Sequence, residues 1–295
     1  MKNVAIVEQL EYFNIGQILE SGQVFRFEKI NDHTYILIAK GKCIKITQLP
    51  ESTTLMIYNS TLGEFEEIWR PYFDIDTDYG HIAHTLVQKD SHMANAVAFG
   101  KGIRLLKQDP WEMLISFIIS QNKAIPHIQQ CIANITERYG QKIDYEEENK
   151  KSYYTFPTPQ ELAVATEEEL RACKVGFRAP YIMDACQKVV SGEIVLNDLF
   201  NMSSQEAKEE LMKIKGVGPK VSDCILLFAY GKMDLFPTDV WIKRVIEGMY
   251  FEGKEISLKA IQTFAREYFA DLAGYAQQYL FYYGRENNLY KWKIP

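Results

Sequence analysis

Cysteine is scarce in this chain of 295 residues, and the few cysteines are scattered. They are odd in number, and no two have Cys-x-x-Cys spacing: Cys43, Cys131, Cys173, Cys186 and Cys224. This distribution argues against a disulfide framework, a zinc ribbon and a four-cysteine iron–sulfur cluster. His81 and His84 are three residues apart, but no third or fourth ligand accompanies them. A solvated helix face is therefore favoured there, and no metal site is predicted.

Long apolar runs are also absent. No stretch approaches the length of a membrane span, and residues 1–8 lack the apolar core of a signal peptide. The sequence therefore predicts a soluble intracellular protein with no membrane partner.

Positive charge is in deficit, since 33 Lys and Arg stand against 39 Asp and Glu. A net charge of −6 argues mildly against an extended nucleic-acid binder. Much of the excess lies in clusters that are interpreted as solvated first turns of helices, where carboxylates favour the helix dipole. These clusters are residues 146–148, 167–169 and 206/209/210. Residues 213–244 differ, with six cations against three aspartates.

The chain divides into two parts by pattern. Apolar and polar residues alternate between about 24 and 58, which predicts strands at residues 24–30, 34–40, 43–49 and 55–58. From about residue 102 a helical period dominates. We expect an α+β protein with an antiparallel β-sheet domain and flanking helix at 1–100, and a mainly helical domain at 101–295.

Capping signals predict where several helices begin. Asp109 is a candidate cap, with Pro110 in the first position and Glu112 completing a capping box. Further starts are predicted at Pro126, Thr158, Thr166 and Ser203. Residues 271–281 are also helical in pattern, which places Gln277 and Phe281 on one face.

The most informative stretch is residues 211–224, which predicts a helix–hairpin–helix. Gly216 and Gly218 flank one apolar residue, where a sharp turn needs positive φ or close backbone approach. Pro219 suits the first turn of the next helix. The free N–H groups at that helix start would bind an anion such as phosphate. Lys220 and Cys224, four residues apart, share one face.

Lys220 is the candidate for chemistry. An isolated lysine is most simply a solvated side chain, but this one stands beside a helix N-terminus. The helix dipole and partial burial are expected to lower its pKa, and a neutral amine can attack an electrophilic carbon to give a Schiff base. Asp239, nineteen residues later, is either a helix N-cap or a carboxylate that steadies positive charge on a substrate. Spacing alone leaves both roles open.

Six blocks of the sequence together resemble the bifunctional 8-oxoguanine DNA glycosylases of the helix–hairpin–helix superfamily. The blocks are residues 21–27, 102–111, 116–122, 175–181, the hairpin, and 274–281. The resemblance implies that Lys220 attacks C1′ of the damaged nucleoside, and that Asp239 stabilises oxocarbenium-like charge. The nucleotide must first flip out of the duplex. The base would be expelled as an imine forms with the sugar. β-Elimination would then cleave the strand.

The resemblance also assigns residues to the two bases. Gly22 would accept a hydrogen bond from N7–H of 8-oxoguanine. Cys224 and Phe281 would sandwich the base, and Gln277 would contact its Watson–Crick edge. On their own, Phe281 and Cys224 would more often be core residues.

A second group would act on the opposite strand and on DNA phosphates. Asn122 would fill the gap left by the flipped base. Phe177 would be a wedge in place of the family's usual tyrosine, and Arg178 would contact the estranged cytosine. Gly216 and Gly218 would approach the DNA backbone. His127 stands where better-known members have arginine, which predicts a less strict preference for cytosine.

Two further positions depart from the family. Trp241 replaces the histidine two residues after the catalytic aspartate, and Gly284 replaces an aspartate three residues beyond Phe281. Those two family residues usually interact, so phosphate anchoring near the site is expected to differ here.

The expected partner is double-stranded DNA containing 8-oxoguanine, bound by a monomer. No cofactor is required, although the hairpin carbonyls could hold a monovalent cation. Such an enzyme would be cytoplasmic and nucleoid-associated in a bacterium or nuclear in a eukaryote, and not secreted. A glycosylase for alkylated purines, which generally lacks the lysine, and a non-catalytic helix–hairpin–helix DNA-binding protein are the alternatives.

Overall fold

The computed structural model describes residues 3–145 and 151–289. Its N-terminal part contains a five-stranded antiparallel sheet with the spatial order β1-β5-β4-β3-β2. The strands are β1 Val4–Val7, β2 Phe27–Asn31, β3 Thr34–Ala39, β4 Lys42–Thr47 and β5 Leu55–Tyr58.

The four predicted strands are confirmed, with their ends shifted by at most three residues, and a fifth strand is present. β2 begins at Phe27 rather than at residue 24, because Gly22 in the preceding loop has φ +85° and the Gln23 carbonyl bonds to the side chain of Gln108 rather than to a neighbouring strand. The edge strand β1 was not predicted. It is only four residues long and only one of its side chains is buried, so its apolar alternation is too short to distinguish.

The remaining described residues are mainly helical. The α-helices are α1 Ile15–Glu20, α2 Leu62–Glu64, α3 Arg70–Tyr72, α4 Tyr79–Val87, α5 Ser91–Phe99, α6 Pro110–Ser120, α7 Ile125–Tyr139, α8 Pro159–Ala163, α9 Glu167–Ala172, α10 Ala179–Val190, α11 Ser204–Leu211, α12 Pro219–Tyr230, α13 Val240–Tyr250, α14 Leu258–Phe269 and α15 Ala273–Glu286. None of the helices within the described ranges is long and apolar enough to cross a membrane.

Most predicted helix starts are confirmed by their caps. Thr158, Thr166 and Ser203 each form a full capping box. Asp109 caps α6, but its predicted capping box does not form. The carboxylate of Glu112 instead lies 3.4 Å from the buried guanidinium of Arg26, so a tertiary ion pair replaces the local bond.

The glutamate clusters have mixed outcomes. Residues 167–169 form the first turn of α9, as predicted. Glu206 lies in the first turn of α11, whereas Glu209 and Glu210 lie at its C-terminal end, where the prediction was wrong. The cluster at 146–148 lies outside the described residues.

Two large hydrophobic cores organise the described residues, and a smaller cluster joins β3 and β4 to Tyr153. One lies between the sheet, α1 and the helical segment that includes Phe65, Trp69 and Phe73. The other joins the helices around α6 and α12 and includes side chains of α4 and α5. Residues 79–99 therefore pack with the helical part, although the predicted first domain contains them. The boundary after residue 100 stays a prediction.

The segment before α6 connects the two cores. Arg104 is buried, and its guanidinium donates hydrogen bonds to the carbonyls of Glu11 (3.0 Å), Tyr12 (3.0 Å) and Asp74 (2.6 Å). It also lies 4.4 Å from the ring centroid of Tyr79. This one buried side chain bonds to three carbonyls of the N-terminal part, and so joins the two cores.

Candidate active site

The hairpin joins α11 to α12 as the sequence predicts. Gly216 has φ +78°, and a Cβ there would lie 2.3 Å from the ring of Tyr181, so glycine is required. Lys208 of α11 pairs with the buried Asp223 of α12 at 2.7 Å, which fixes the two helices together.

Gly218 differs from the expectation for a turn glycine. Its φ is −99°, which any residue can adopt, and a Cβ there would meet nothing within 4 Å. Gly218 is the N-cap of α12 and provides no side-chain cap. The first N–H groups of α12 are therefore left without a side-chain partner, as an anion-binding helix start requires.

Lys220 stands in the first turn of α12, partly exposed, against an aromatic cluster. Its Nζ lies 5.7 Å from the ring centroid of Phe117, which stacks on Phe228 and meets the edge of Phe25. The adjacent Cys224 and, secondarily, the Asp239 carboxylate raise the pKa of Lys220 above its ordinary value, although burial acts to lower it. The predicted lowering of this pKa was wrong, because these two side chains outweigh burial.

Asp239 is the N-cap of α13. Its Oδ1 accepts hydrogen bonds from the backbone N–H of Trp241 (3.0 Å) and Ile242 (2.8 Å). The preceding chain is fixed by Gln262, which donates to the Phe236 carbonyl at 2.8 Å. Asp239 is therefore a helix N-cap, and both backbone N–H groups donate to the same carboxylate oxygen.

A cavity of about 300 Å³ brings together residues that are far apart in sequence. It is lined by four of the predicted site residues: Gly22, Lys220, Asp239 and Phe281. Other lining residues were not predicted from the sequence, notably Phe25, Phe117, Lys123 and Arg285, and Trp241 was predicted only as a departure from the family pattern near the site. The sequence could have predicted Arg285 as a lining residue, since it lies four residues after Phe281 and so shares a helix face with it.

Two predicted pocket residues are not among the lining residues. Cys224 is buried, and burial raises the pKa of its thiol to about 11, so it is a neutral thiol near pH 7. Gln277 is also buried, and its Nε2 donates to the Pro237 carbonyl at 3.2 Å. Its Oε1 is buried without a hydrogen-bond partner among the described residues. This oxygen can accept a hydrogen bond from a molecule in the cavity only if the cavity widens toward Gln277.

The loop that carries Gly22 is held firmly in place. Gly22 has φ +85°, and a Cβ there would lie 3.0 Å from Cε1 of Phe281. Gln278 donates to the Ser21 carbonyl at 2.9 Å, and Gln108 donates to the Gln23 carbonyl at 2.7 Å. Phe281 therefore packs directly on Gly22, and both residues form part of the cavity wall.

The opposite-strand candidates lie on two adjoining loops. Asn122 is exposed with φ +55°. Arg178 is buried, donates to the Gln121 carbonyl, and lies 4.2 Å from the ring centroid of the exposed Phe177. His127 is exposed in the first turn of α7 and is not among the residues lining the cavity. Arg178 thus supports the Asn122 loop in this structure and would have to turn outward to contact a base.

The two departures from the family pattern have structural consequences. Trp241 is 47 % exposed and lines the cavity at the start of α13. A Cβ at Gly284 would lie 2.5 Å from Cγ2 of Val245, so α13 and α15 pack closely at this point. An aspartate at position 284 would not fit this packing.

His81 and His84, for which the sequence favours a solvated helix face over a metal site, are both exposed on α4. His84 forms a 2.9 Å hydrogen bond with Gln88, as expected for a solvated helix face. The described part of the chain contains no group of three or more His, Cys, Asp or Glu arranged to hold a metal ion.

Comparison with known proteins places both parts of the chain. Residues 5–114 match the family described as 8-oxoguanine DNA glycosylase, N-terminal domain. Residues 115–271 match the HhH-GPD superfamily of base excision DNA repair proteins.

Curated relatives agree with these matches. A probable N-glycosylase/DNA lyase of Methanothermobacter thermautotrophicus is 32 % identical over 250 residues, covering 78 % of this chain and 77 % of that protein. An N-glycosylase/DNA lyase of Saccharomyces cerevisiae is 29 % identical, covering 84 % of this chain and 72 % of that protein.

A solved structure extends the similarity to the whole fold. The Clostridium acetobutylicum 8-oxoguanine glycosylase/lyase, bound to double-stranded DNA with cytosine opposite 8-oxoguanine, superposes with a TM-score of 0.91 and 41 % identity. The match covers 98 % of each chain. The chain belongs to the 8-oxoguanine DNA glycosylase/lyases of the HhH-GPD superfamily of base excision repair enzymes.

Proposed function

We propose that this enzyme excises 8-oxoguanine from double-stranded DNA through a Schiff base on Lys220, and then nicks the strand by β-elimination. The observation that carries the proposal is the single cavity that joins Lys220 and Asp239 to Gly22 and Phe281. C1′ and the base edge are inaccessible inside a duplex, so the target nucleotide must be flipped into the cavity.

The first step needs a neutral amine. The raised pKa means that Lys220 is an ammonium in the free enzyme near pH 7, and it must lose a proton before it attacks. Nζ then forms a bond to C1′ while the bond from C1′ to N9 of the base breaks. The base leaves with the electron pair of that bond. The bond from C1′ to O4′ then breaks as the nitrogen lone pair forms the C1′=N bond. O4′ takes up the proton that Nζ loses, and the ring opens to an imine that joins C1′ to Lys220.

Asp239 suits the charge that develops in this step. One of its oxygens is fixed by two backbone amides of α13, which leaves the other oxygen for the cavity. A carboxylate held beside C1′ would stabilise the oxocarbenium-like transition state. Loss of the C2′ proton to the expelled base would then release the 3′ phosphate by β-elimination.

Recognition of the lesion rests on Gly22 and Phe281. The Gly22 carbonyl would accept a hydrogen bond from N7–H, which guanine lacks, and this contact is worth roughly 1–3 kcal/mol. Phe281 would stack on one face of the base. Cys224 as the opposite wall and Gln277 as the contact to the Watson–Crick edge stay predictions, since both require the cavity to open further.

The residues that the sequence assigns to the opposite strand and to the DNA backbone keep those roles in this proposal. We infer that Asn122 and Phe177 occupy the gap and the wedge positions, with Arg178 facing cytosine after it turns outward. His127 in place of arginine weakens the preference for cytosine. The open helix start at Gly216–Gly218 is the phosphate site. A monovalent cation on the hairpin carbonyls stays a prediction.

Borohydride trapping tests the central step. Wild-type protein is mixed with duplexes that contain 8-oxoguanine opposite each normal base, and covalent adducts are counted on denaturing gels. We expect adducts with wild type and none with Lys220→Gln. Lys215→Gln, an exposed lysine at the hairpin outside the cavity, is the matched control and should still trap.

The same experiment can contradict each part of the proposal. Wild-type protein that gives no adduct rules out the lyase step. Adducts that persist in Lys220→Gln move the nucleophile elsewhere. Equal trapping opposite all four bases removes the preference for cytosine.

A further inference from the structure

Arg285 is a cation in the base cavity that the proposed chemistry leaves without a role. It lies on α15 one turn after Phe281, and its guanidinium carbon is 5.7 Å from the ring centroid of Phe281. Its Nη2 donates to the carbonyl of Glu20, the last residue of α1. Its Nε donates to the Glu286 carboxylate at 2.9 Å.

These contacts place one guanidinium against both walls of the cavity. A Cβ on Gly22 would lie 3.3 Å from Nη1 of Arg285 and 3.0 Å from Cε1 of Phe281. The loop and the ring belong to segments about 260 residues apart, and Arg285 touches both.

Physical chemistry explains why an arginine suits this position. The last carbonyls of a helix have no intrahelical partner, and a cation at that end is favoured by the helix dipole. The same planar group can lie against an aromatic ring while its N–H groups bond elsewhere. A neutral or shorter side chain could not hold both the Glu20 carbonyl and the Phe281 ring.

We propose that Arg285 is a positioning residue for base recognition, which keeps the Gly22 loop and Phe281 at the spacing that a flipped oxidised purine requires. The proposal rests on the function proposed above. Arg285 acts through these two walls, so it matters only when a base occupies the cavity. An abasic sugar reaches Lys220 without using either wall.

Two substrates distinguish a role of Arg285 in base recognition from a general role in DNA binding. Single-turnover strand cleavage is measured for one duplex sequence carrying either 8-oxoguanine opposite cytosine or an abasic site. For Arg285→Ala we expect about a tenfold loss on 8-oxoguanine and less than about a twofold change on the abasic site.

Control variants isolate the contacts. Glu286→Gln removes the charged neighbour of Arg285 but leaves the Glu20 carbonyl and Phe281 contacts, so it should match wild type. Arg266→Ala removes an exposed cation on α14 and controls for the loss of one positive charge. Arg285→Lys retains the charge without the planar fork and should lose 8-oxoguanine activity selectively, by less than the alanine variant. It also keeps the test valid if Arg285→Ala fails to fold.

Two results overturn the proposal. Equal losses on both substrates would show that Arg285 binds the DNA backbone. Unchanged activity on both would show that it has no part in recognition. If wild-type protein cleaves the abasic duplex but not the 8-oxoguanine duplex, the proposed substrate fails instead. If it cleaves neither, the proposed chemistry fails.

Discussion

At the scale of single residues, the pKa of Lys220, the proposed nucleophile, depends more on neighbouring side chains than on its place at a helix start. Sequence alone predicts that the helix dipole and burial lower the pKa of Lys220. The structure reverses the direction because Cys224 and Asp239 favour the ammonium. The identity of Cys224 as a neighbour follows from the four-residue spacing, but the balance between its influence and burial does not.

This balance predicts a pH profile. Attack needs the neutral amine, so trapping on an abasic duplex should rise with pH through the neutral range and above, and a raised pKa moves that rise to higher pH. Cys224→Ala removes the largest cause of the raised pKa. The Cys224 thiol has a pKa of about 11, so it favours the ammonium only in the alkaline range where it is itself ionised. The profile should therefore shift to lower pH at its alkaline end, and initial rates of borohydride trapping from about pH 6 to about pH 11 measure it.

Cys186→Ala is the matched control for that shift. Cys186 is also a buried thiol, and burial raises its pKa to about 12, but it lies on α10 away from the cavity. Its removal should leave the profile unchanged. A profile that moves to higher pH in Cys224→Ala, or that moves equally in both variants, would contradict the assignment.

At the scale of elements, the two hairpin glycines have different reasons to be glycine. Gly216→Ala places a Cβ at φ +78° and 2.3 Å from the Tyr181 ring, so it should destabilise the protein by about 2–4 kcal/mol. Gly218→Ala meets nothing within 4 Å and should change stability by less than about 1 kcal/mol. Urea denaturation of both variants measures these differences.

DNA binding should separate the two glycines in another way. The extra Cβ of Gly218→Ala stands at the open start of α12, where a phosphate would approach the N–H groups. We expect weaker binding to duplex DNA from a variant whose stability is nearly unchanged. Binding equal to wild type would show that this helix start does not contact DNA.

Elements with local signals were predicted well, and those that depend on distant partners were not. Thr158, Thr166 and Ser203 cap helices through bonds within four residues, so sequence is sufficient for them. Glu112 has the same local pattern, but its carboxylate pairs with Arg26 from another part of the chain. The edge strand Val4–Val7 depends on β5, fifty residues away.

The same distinction applies to the site. Lys220 and Asp239 follow from local pattern and from resemblance, and the structure places both at one cavity. Phe25, Phe117 and Lys123 line that cavity only because the loop after α1, helix α6 and the loop after α6 converge on α12 and α15 there. No spacing within the sequence expresses that convergence.

At the scale of the whole molecule, the base cavity depends on how the sheet-containing part is attached to the helices. Gly22 belongs to the first part, and Lys220 and Asp239 belong to the second. The segment at Arg104 lies between them and bonds to the loop after α1 through Gln23, whose Nε2 donates to the Arg104 carbonyl at 2.8 Å. The position of Gly22 relative to Lys220 therefore depends on this buried segment.

Arg104→Ala tests the attachment. The substitution leaves the carbonyls of Glu11, Tyr12 and the buried Asp74 without their charged donor, and should lower the free energy of unfolding by about 3–5 kcal/mol. Arg70→Ala is the matched control, because Arg70 pairs with Glu66 and Asp76 at the surface and is 39 % exposed as a side chain. Exposed pairs of this kind contribute less than about 1 kcal/mol.

Activity and unfolding together show what the attachment does. Under conditions where Arg104→Ala remains folded, we expect slower excision of 8-oxoguanine, because Gly22 is less firmly placed, with cleavage at an abasic site retained. Equal stability in the two arginine variants would mean that the buried hydrogen bonds of Arg104 contribute no more than a surface ion pair. In that case the apolar contacts between the two parts would suffice to fix the cavity.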